Sequence, residues 1–141
     1  MLKPKILISC FLCSYSLTAQ VPDSVMYKFL DPYYFHLQYL KEDSAMLIDV
    51  REFFEFRRNR IKDAVNIPSF KNLDITADTL DRNYALFLYC TTDTRSIQVT
   101  KFLYEKGFRK LYCLEGGIQA WRKDGYPVDK KNIRRKKKQE R

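Results

Sequence analysis

A cysteine near the middle of the chain carries the clearest chemical signal. Cys90 ends the apolar run of residues 85–90, and a helical pattern of apolar residues begins at Ser96. In an open parallel sheet, ligands bind in the crevice beyond the carboxyl ends of the strands. The free N–H groups of the following helix favour a thiolate over a thiol, and Arg95 adds a positive charge. The spacing therefore predicts that Cys90 is a nucleophile that forms a covalent intermediate.

The residues after Cys90 are the candidates for substrate binding. N–H groups that converge at a helix start bind anions, and Arg95 supplies a fixed charge beside them. We predict an anion site formed by Thr91, Thr92, Asp93, Thr94, Arg95 and Ser96.

Two further residues, Cys113 and His36, bear on whether Cys90 has a partner side chain. Cys113 lies inside an apolar run, so we interpret it as a core residue rather than a resolving thiol. If its Cα atom lay within about 7 Å of that of Cys90, a disulfide would switch the site off or make it a redox element. His36 is the only histidine of the chain. It lies on the first predicted helix, far in sequence from Cys90, so we interpret it as a surface or edge residue; one histidine also provides no zinc ligand set.

Three apolar runs predict the strands that position this loop. Residues 45–50, 85–90 and 111–114 are short and nearly unbroken in apolar character, which is typical of parallel strands covered on both faces. We therefore predict an α/β fold with a central, mostly parallel sheet and helices on both faces.

Helix signals lie between and around these runs. A helix is predicted from Asp31-Pro32 to Lys41, a second from Ser96 to a stop at Gly107, and a third, short one from Gly116-Gly117 to near Gly125. Residues 69–84 are polar and irregular, so we predict a long loop with a helical turn there.

The loop resembles the active-site loop of the rhodanese family, whose single-domain members carry a Cys-x-x-Gly-x-Arg-Ser signature. Residues 47–52 are similar to the family's first strand and its Asp-Val-Arg-Glu motif. Residues 61–68 are similar to its segment ending in Asn-Ile-Pro, and residues 114–121 with 125–128 to its C-terminal signature. The resemblance covers about residues 30–128 and implies the rhodanese-like three-layer fold.

The resemblance implies sulfur transfer without a metal or an organic cofactor. Cys90 would take a sulfane sulfur from thiosulfate or a persulfide, hold it as a persulfide, and pass it to a thiol or cyanide acceptor. Related arsenate reductases and dual-specificity phosphatases have a loop one residue longer, which disfavours phosphatase activity here. The alternative is a non-catalytic rhodanese-like module in the cell envelope that recognises a partner or a thiol state.

Several positions depart from the family pattern. Asp93, Asp63 and Asn59 stand where the family has glycine, and Arg60 replaces its histidine. Asp and Asn tolerate positive φ best after glycine, so we expect these turns to survive. The Asp93 carboxylate should oppose thiolate formation and weaken thiosulfate binding, which favours a less anionic persulfide donor. Arg51 and Glu52 are interpreted as ion partners that support the loop.

The first twenty residues predict export. Residues 1–20 have a basic start, a short apolar stretch and a small-residue end at Thr18-Ala19-Gln20, which is the pattern of a secretory signal peptide. We therefore expect a periplasmic or secreted protein. Lipid anchoring at Cys10 is the less favoured alternative.

The charge of the chain is concentrated at its ends. Of the net +9, residues 129–141 carry +6 and Lys3 and Lys5 carry +2, which leaves +1 for residues 21–128. The body, interpreted as one rhodanese-like domain over 21–128, therefore has no basic excess for nucleic acid. The tail, 129–141, is interpreted as a disordered soluble appendage, with weak contact to an anionic membrane as the alternative. The oligomeric state is not specified by these patterns.

Overall fold

Five short strands alternate with six helices over residues 20–130, the part of the chain that the computed structural model describes. In chain order they are α1 (Asp23–Met26), β1 (Lys28–Leu30), α2 (Pro32–Lys41), β2 (Ala45–Asp49), α3 (Phe53–Arg58), β3 (Val65–Asn66), α4 (Phe70–Thr79), β4 (Ala85–Tyr89), α5 (Thr94–Glu105), β5 (Leu111–Leu114) and α6 (Gly117–Lys123). The strands form one sheet in the order β1-β5-β4-β2-β3, and every neighbouring pair is parallel.

The two faces of the sheet are both covered, because side chains alternate along each strand. On β4, Leu86 and Leu88 pack into one apolar cluster while Phe87 and Tyr89 pack into the other. Helices α1, α4 and α5 contribute to the first cluster, and α2 and α6 to the second. The predicted three-layer α/β fold is confirmed.

The predicted helices are present with nearly the expected bounds. Helix α2 begins at Pro32, and the Asp31 side chain accepts a hydrogen bond of 2.9 Å from the N–H of Tyr34, as a capping aspartate should. Helix α5 begins two residues earlier than predicted, at Thr94. It is followed by Gly107 at φ +97°, the left-handed conformation that ends a helix.

The predicted loop over residues 69–84 is wrong, because most of it is helix α4. The Ser69 hydroxyl caps this helix by accepting a hydrogen bond of 3.2 Å from the N–H of Asn72. Leu73 and Ala77 lie four residues apart and are both buried against the sheet. Phe70 of the same helix packs edge-on against Phe102 of α5, with ring centroids 5.6 Å apart, so α4 docks although the segment as a whole is polar.

The C-terminal end of the described chain returns to the body. Asp129 and Arg60 exchange two backbone hydrogen bonds of 2.7 and 3.0 Å, and their side chains form an ion pair at 3.2 Å. The contacts of the body thus reach one residue past the predicted limit at 128. Cys10, residues 1–19 of the predicted signal sequence, and residues 131–141 lie outside the described residues. Within residues 20–130, no helix is long and apolar enough to cross a membrane.

Candidate active site

Cys90 lies at the carboxyl end of a central strand. Strand β4 ends at Tyr89, between β5 and β2, and α5 begins at Thr94. Only Cys90 to Asp93 therefore connect strand and helix, and Cys90 is 1% exposed at the start of this turn. The predicted placement of Cys90 at the edge where parallel sheets bind ligands is confirmed.

Helix α6 fixes the loop from the side. Its N–H groups at Ile118 and Gln119 donate hydrogen bonds of 3.0 and 3.3 Å to the carbonyls of Cys90 and Thr91. The approach is so close that a Cβ on Gly117 would lie 2.3 Å from the Thr92 carbonyl oxygen and 2.5 Å from that of Cys90. The loop carbonyls are thus held by α6.

The first N–H groups of α5 are available for an anion. Asp93 is the residue before the helix, but its side chain does not cap α5. Its carboxylate accepts a hydrogen bond of 2.7 Å from the N–H of Gly116 instead, which ties the loop to the start of α6. Among residues 20–130, no acceptor satisfies the N–H groups of Thr94, Arg95 and Ser96. Such groups at the positive end of a helix dipole bind anions.

Ser96 lies directly beside the sulfur. Its hydroxyl oxygen is 3.6 Å from the Sγ of Cys90 and donates a hydrogen bond of 2.8 Å to the carbonyl of Asp93. Ser96 is buried, whereas Thr92 and Thr94 are exposed and lie on the outside of the turn. Of the six predicted binding residues, Ser96 is the one whose side chain contacts the Cys90 sulfur in the described contacts.

Arg95 is paired with a carboxylate that the sequence did not reveal. Its guanidinium donates hydrogen bonds of 2.7 and 3.0 Å to the two carboxylate oxygens of Glu55, and another of 2.9 Å to the Thr91 hydroxyl. Thr91 in turn donates a hydrogen bond of 2.7 Å to Glu55. The hydrogen bonds from Arg95 lower the pKa of Glu55 to about 2, against the effect of its partial burial. The charge of Arg95 is therefore balanced locally and does not neutralise Asp93.

The prediction that Arg51 and Glu52 are ion partners of the loop is wrong. Arg51 pairs with the buried Asp49 at 2.6 Å and donates to the Asn59 carbonyl at 2.6 Å, which joins the end of β2 to the end of α3. Glu52 caps α3 in a reciprocal pair with Glu55. The Glu-x-x-Glu spacing of this capping box was visible in the sequence, but the contact of Glu55 with a loop 40 residues away was not.

The glycine replacements behave differently from one another. Asp63 adopts φ +65°, as expected for a residue in a glycine position. Asp93 and Asn59 instead have φ of −129° and −161°, so their backbones do not need glycine. Of the three replacements, Asp63 is the one that adopts the positive φ expected of a glycine position.

Cys113 is a core residue, as predicted. It is a free, fully buried thiol on β5, and burial raises its pKa to about 11. Leu88 is its partner across the β4–β5 pair, so Cys90 lies two residues out of register with it. Strand geometry then places the two Cα atoms about 8 Å apart. A disulfide needs less than about 7 Å, so a bridge would require backbone movement.

Comparisons with known proteins identify the family. The rhodanese-like domain model matches residues 36–124, so the chain belongs to the rhodanese-like family. The thiosulfate sulfurtransferase GlpE of Pseudomonas savastanoi pv. phaseolicola is 32% identical over 85 residues, which cover 60% of this chain and 79% of that protein. A crystal structure of a rhodanese-related protein from Thermoplasma volcanium superposes with a TM-score of 0.62 at 29% identity, covering 74% of this chain and all of that one.

A second group of relatives is larger than this chain. The tRNA uridine(34) hydroxylase of Chlamydia muridarum is 30% identical over 113 residues, which cover 75% of this chain. The match covers 34% of that protein, so the chain spans about a third of its length. The similarity to the hydroxylase therefore concerns one portion of a longer protein.

Proposed function

We propose that this protein is a sulfurtransferase that carries a sulfane sulfur as a persulfide on Cys90. The observation that supports it most is the pairing of a cysteine at the carboxyl end of β4 with unsatisfied N–H groups at the start of α5. Family membership supports the same chemistry, and the chain matches most of the length of a thiosulfate sulfurtransferase but only a third of a hydroxylase.

The proposed reaction has two displacement steps. The Cys90 thiolate attacks the outer sulfur of thiosulfate, the new S–S bond forms at Sγ, and the bond to the sulfite sulfur breaks with its electron pair leaving on sulfite. A thiolate or cyanide then attacks the terminal sulfur of the persulfide, and Cys90 leaves as the thiolate. No net oxidant or reductant is consumed, because the sulfane sulfur moves between two nucleophiles.

The loop residues would serve this chemistry in distinct ways. The N–H groups of Thr94, Arg95 and Ser96 would bind the negative charge of the donor and of the persulfide. The Ser96 hydroxyl, 3.6 Å from Sγ, would turn its one proton from the Asp93 carbonyl to the thiolate. Glu55 and Thr91 would hold Arg95 at the rim of the site.

The second candidate is a rhodanese-like binding or redox module without turnover. Two observations favour it: the Asp93 carboxylate lies within the loop, and Glu55 balances the charge of Arg95. Both reduce the net attraction of the loop for a dianion. A sulfur donor that carries less charge than thiosulfate would be affected less.

Intact-mass spectrometry distinguishes the two functions. Residues 21–141, which contain every described strand and helix, would be incubated with thiosulfate or glutathione persulfide. We expect one added sulfur that cyanide removes, in the native sequence and in Cys113→Ser, but not in Cys90→Ser. No added sulfur from either donor on a reduced thiol would overturn sulfur transfer and favour the module; loss of two protons would indicate a disulfide and a redox role.

We also propose that the protein is exported. The support is the pattern of residues 1–20 alone, a basic start followed by a short apolar stretch. Fractionation of bacterial cells that express the full chain tests it: a periplasmic or secreted product shortened by about 20 residues is expected, and a cytoplasmic, full-length product would contradict export.

A further inference from the structure

We infer that the outer face of α3, together with the start of the C-terminal tail, is a docking surface for an anionic phospholipid bilayer. This α3 surface consists of Phe53, Phe54, Arg57, Arg58 and Lys130. The inference concerns where the protein sits and is independent of the chemistry proposed for Cys90.

The two aromatic rings of the α3 surface are more than half exposed. Phe53 is 53% and Phe54 is 73% exposed, although they are adjacent and large. Phe56 of the same helix is buried in the body, and Glu55 faces Arg95, so these two residues form the inner face by which α3 contacts the rest of the protein. The outer phenylalanines are not needed for packing. Phenylalanine pairs with basic neighbours are typical of helices that lie in a membrane interface.

Within residues 20–130, the basic residues of the α3 surface form no ion pair with an acidic side chain. Arg57, Arg58, Lys130 and Phe54 line an open cleft of about 380 Å³. The described part of the chain contains seven ion pairs, and none involves these three basic residues. Arg57 lies over the Phe53 ring at 5.9 Å, so charge and apolar area are combined in one patch. This patch can attract phosphate groups and bury apolar surface together.

The tail begins at the same place. The pairing of Asp129 with Arg60 fixes the chain next to the end of α3, and Lys130 follows at the rim of the cleft. Residues 131–141 then add seven Lys or Arg and one acidic residue, Glu140. A charge run without apolar residues other than Ile133 matches the diffuse field of anionic headgroups better than one shaped protein pocket. The bilayer is thus favoured over an acidic protein or a nucleic acid.

Membrane docking on this surface would orient the candidate active site. Glu55 projects from α3 to Arg95 and Thr91, so the α3 surface is on the opposite face of a helix that contacts the Cys90 loop. A protein bound through α3 would hold that loop close to the bilayer. Substrates or acceptor thiols at the membrane surface would then reach it over a short distance.

Vesicle co-sedimentation tests the inference. Residues 21–141 are used, because the apolar residues 1–20 would bind lipid by themselves. The protein should sediment with vesicles of 30% phosphatidylglycerol in phosphatidylcholine, but not with pure phosphatidylcholine, and high salt should release it. At about fivefold per basic residue, Arg57→Gln with Arg58→Gln should weaken binding about 25-fold. Phe53→Ser with Phe54→Ser should weaken it severalfold through lost apolar burial.

The matched control removes the same charge elsewhere. Arg122 and Lys123 are also an exposed basic pair in the last turn of a short helix, α6. Changing both to glutamine should alter binding less than twofold. An equal loss of vesicle binding in this control would show that net charge alone governs binding, and it would overturn the assignment of the α3 surface. Unchanged binding in both α3 double variants would overturn it as well.

Hydrogen exchange gives a readout that does not depend on variants. Adding anionic vesicles to the native sequence should slow amide exchange over residues 53–58 relative to α6. Absence of this protection, or binding to nucleic acid or an acidic protein without binding to vesicles, would overturn the inference. Persulfide formation on Cys90 is measured separately, so failure of one proposal leaves the other intact.

Discussion

Glu55 sets how much of the Arg95 charge reaches the Cys90 loop. Glu55 accepts two hydrogen bonds from Arg95 and one from Thr91, although it precedes Arg95 by 40 residues in the chain. Cys90 could be predicted because strand, turn and helix are adjacent in sequence. Glu55 could not, because its role arises only when α3 packs beside a loop from a different βα unit.

Replacing Glu55 by glutamine should make this contact visible in the pH dependence of stability. Glutamine keeps the capping hydrogen bond of α3 but removes the charge. The pKa of Glu55 falls from 4.5 to about 2 on folding, so its stabilisation is present above pH 4.5 and is lost as pH falls through 2. Since Arg95 is 39% exposed, we expect a loss of about 1–2 kcal/mol at pH 7 and less than half of that at pH 3.

Denaturant unfolding of Glu55→Gln at pH 3, 5 and 7 measures this difference. Glu105→Gln is the matched control, since it removes the same charge from an exposed side chain of α5 that forms none of the ion pairs among residues 20–130. A constant difference across the pH range, or an equal effect of the control, would show that the Arg95 pair contributes no pH-dependent stability.

Asp93 is the residue at which charge and loop geometry can be separated. Asparagine retains the oxygen that accepts the 2.7 Å hydrogen bond from Gly116 but removes the charge. Removing a nearby negative charge should lower the KM for thiosulfate about fivefold, an electrostatic effect of about 1 kcal/mol. Glycine should also raise activity with thiosulfate, while the lost hydrogen bond costs about 1 kcal/mol of stability.

Steady-state kinetics on both Asp93 variants check this expectation. A persulfide donor with less charge at its sulfur end should respond less than thiosulfate. Unchanged thiosulfate kinetics in Asp93→Asn and Asp93→Gly across a pH series would show that the Asp93 carboxylate does not affect which sulfur donor is used.

The strands and helices around the site differ in how well they could be predicted from their own residues. The central strands β2, β4 and β5 could be predicted, because full burial on both faces makes their apolar runs continuous. The edge strands β1 and β3 have three and two residues, too few to show a period. Helix α4 was missed because only two of its side chains, Leu73 and Ala77, are buried, within a segment that is otherwise mostly polar.

The contact of α6 with the Cys90 loop gives a prediction at the scale of elements. Gly117→Ala would place a methyl group against the carbonyls of Cys90 and Thr92 at a φ of +56°. Gly125→Ala is the control, with a φ of +82° and open space around it. The control should lose roughly 1–2 kcal/mol from its left-handed backbone alone. Gly117→Ala should lose about 2 kcal/mol more and slow persulfide formation, because the loop must move.

Urea unfolding and the rate of persulfide formation measure these two effects. Similar losses of stability in both alanine variants, with unchanged persulfide formation in Gly117→Ala, would show that the loop does not depend on its contact with α6.

The whole molecule separates its charge from its core. The body is nearly neutral, and the basic excess is concentrated in the tail that starts beside α3. The Cys90 loop lies at the carboxyl edge of the sheet, whereas Cys113 is enclosed between β4 and β1 within it. Although Cys90 and Cys113 are both buried, opening of the loop should expose Cys90, whereas Cys113 should require opening of the sheet.

Alkylation under native conditions should resolve these two motions. Cys90 can be reached when its short loop opens, so its reaction with iodoacetamide at pH 8 should depend weakly on low urea concentrations. Cys113 has a pKa raised to about 11 by burial, and its strand is paired on both sides, so it should react only through global unfolding. Its rate should rise with urea by the full m-value of unfolding. Peptide-resolved mass spectrometry of residues 21–141 measures both rates. Parallel urea dependence of the two cysteines would mean that the loop opens only when the whole sheet does, and a nucleophile confined in that way could not turn over on native protein.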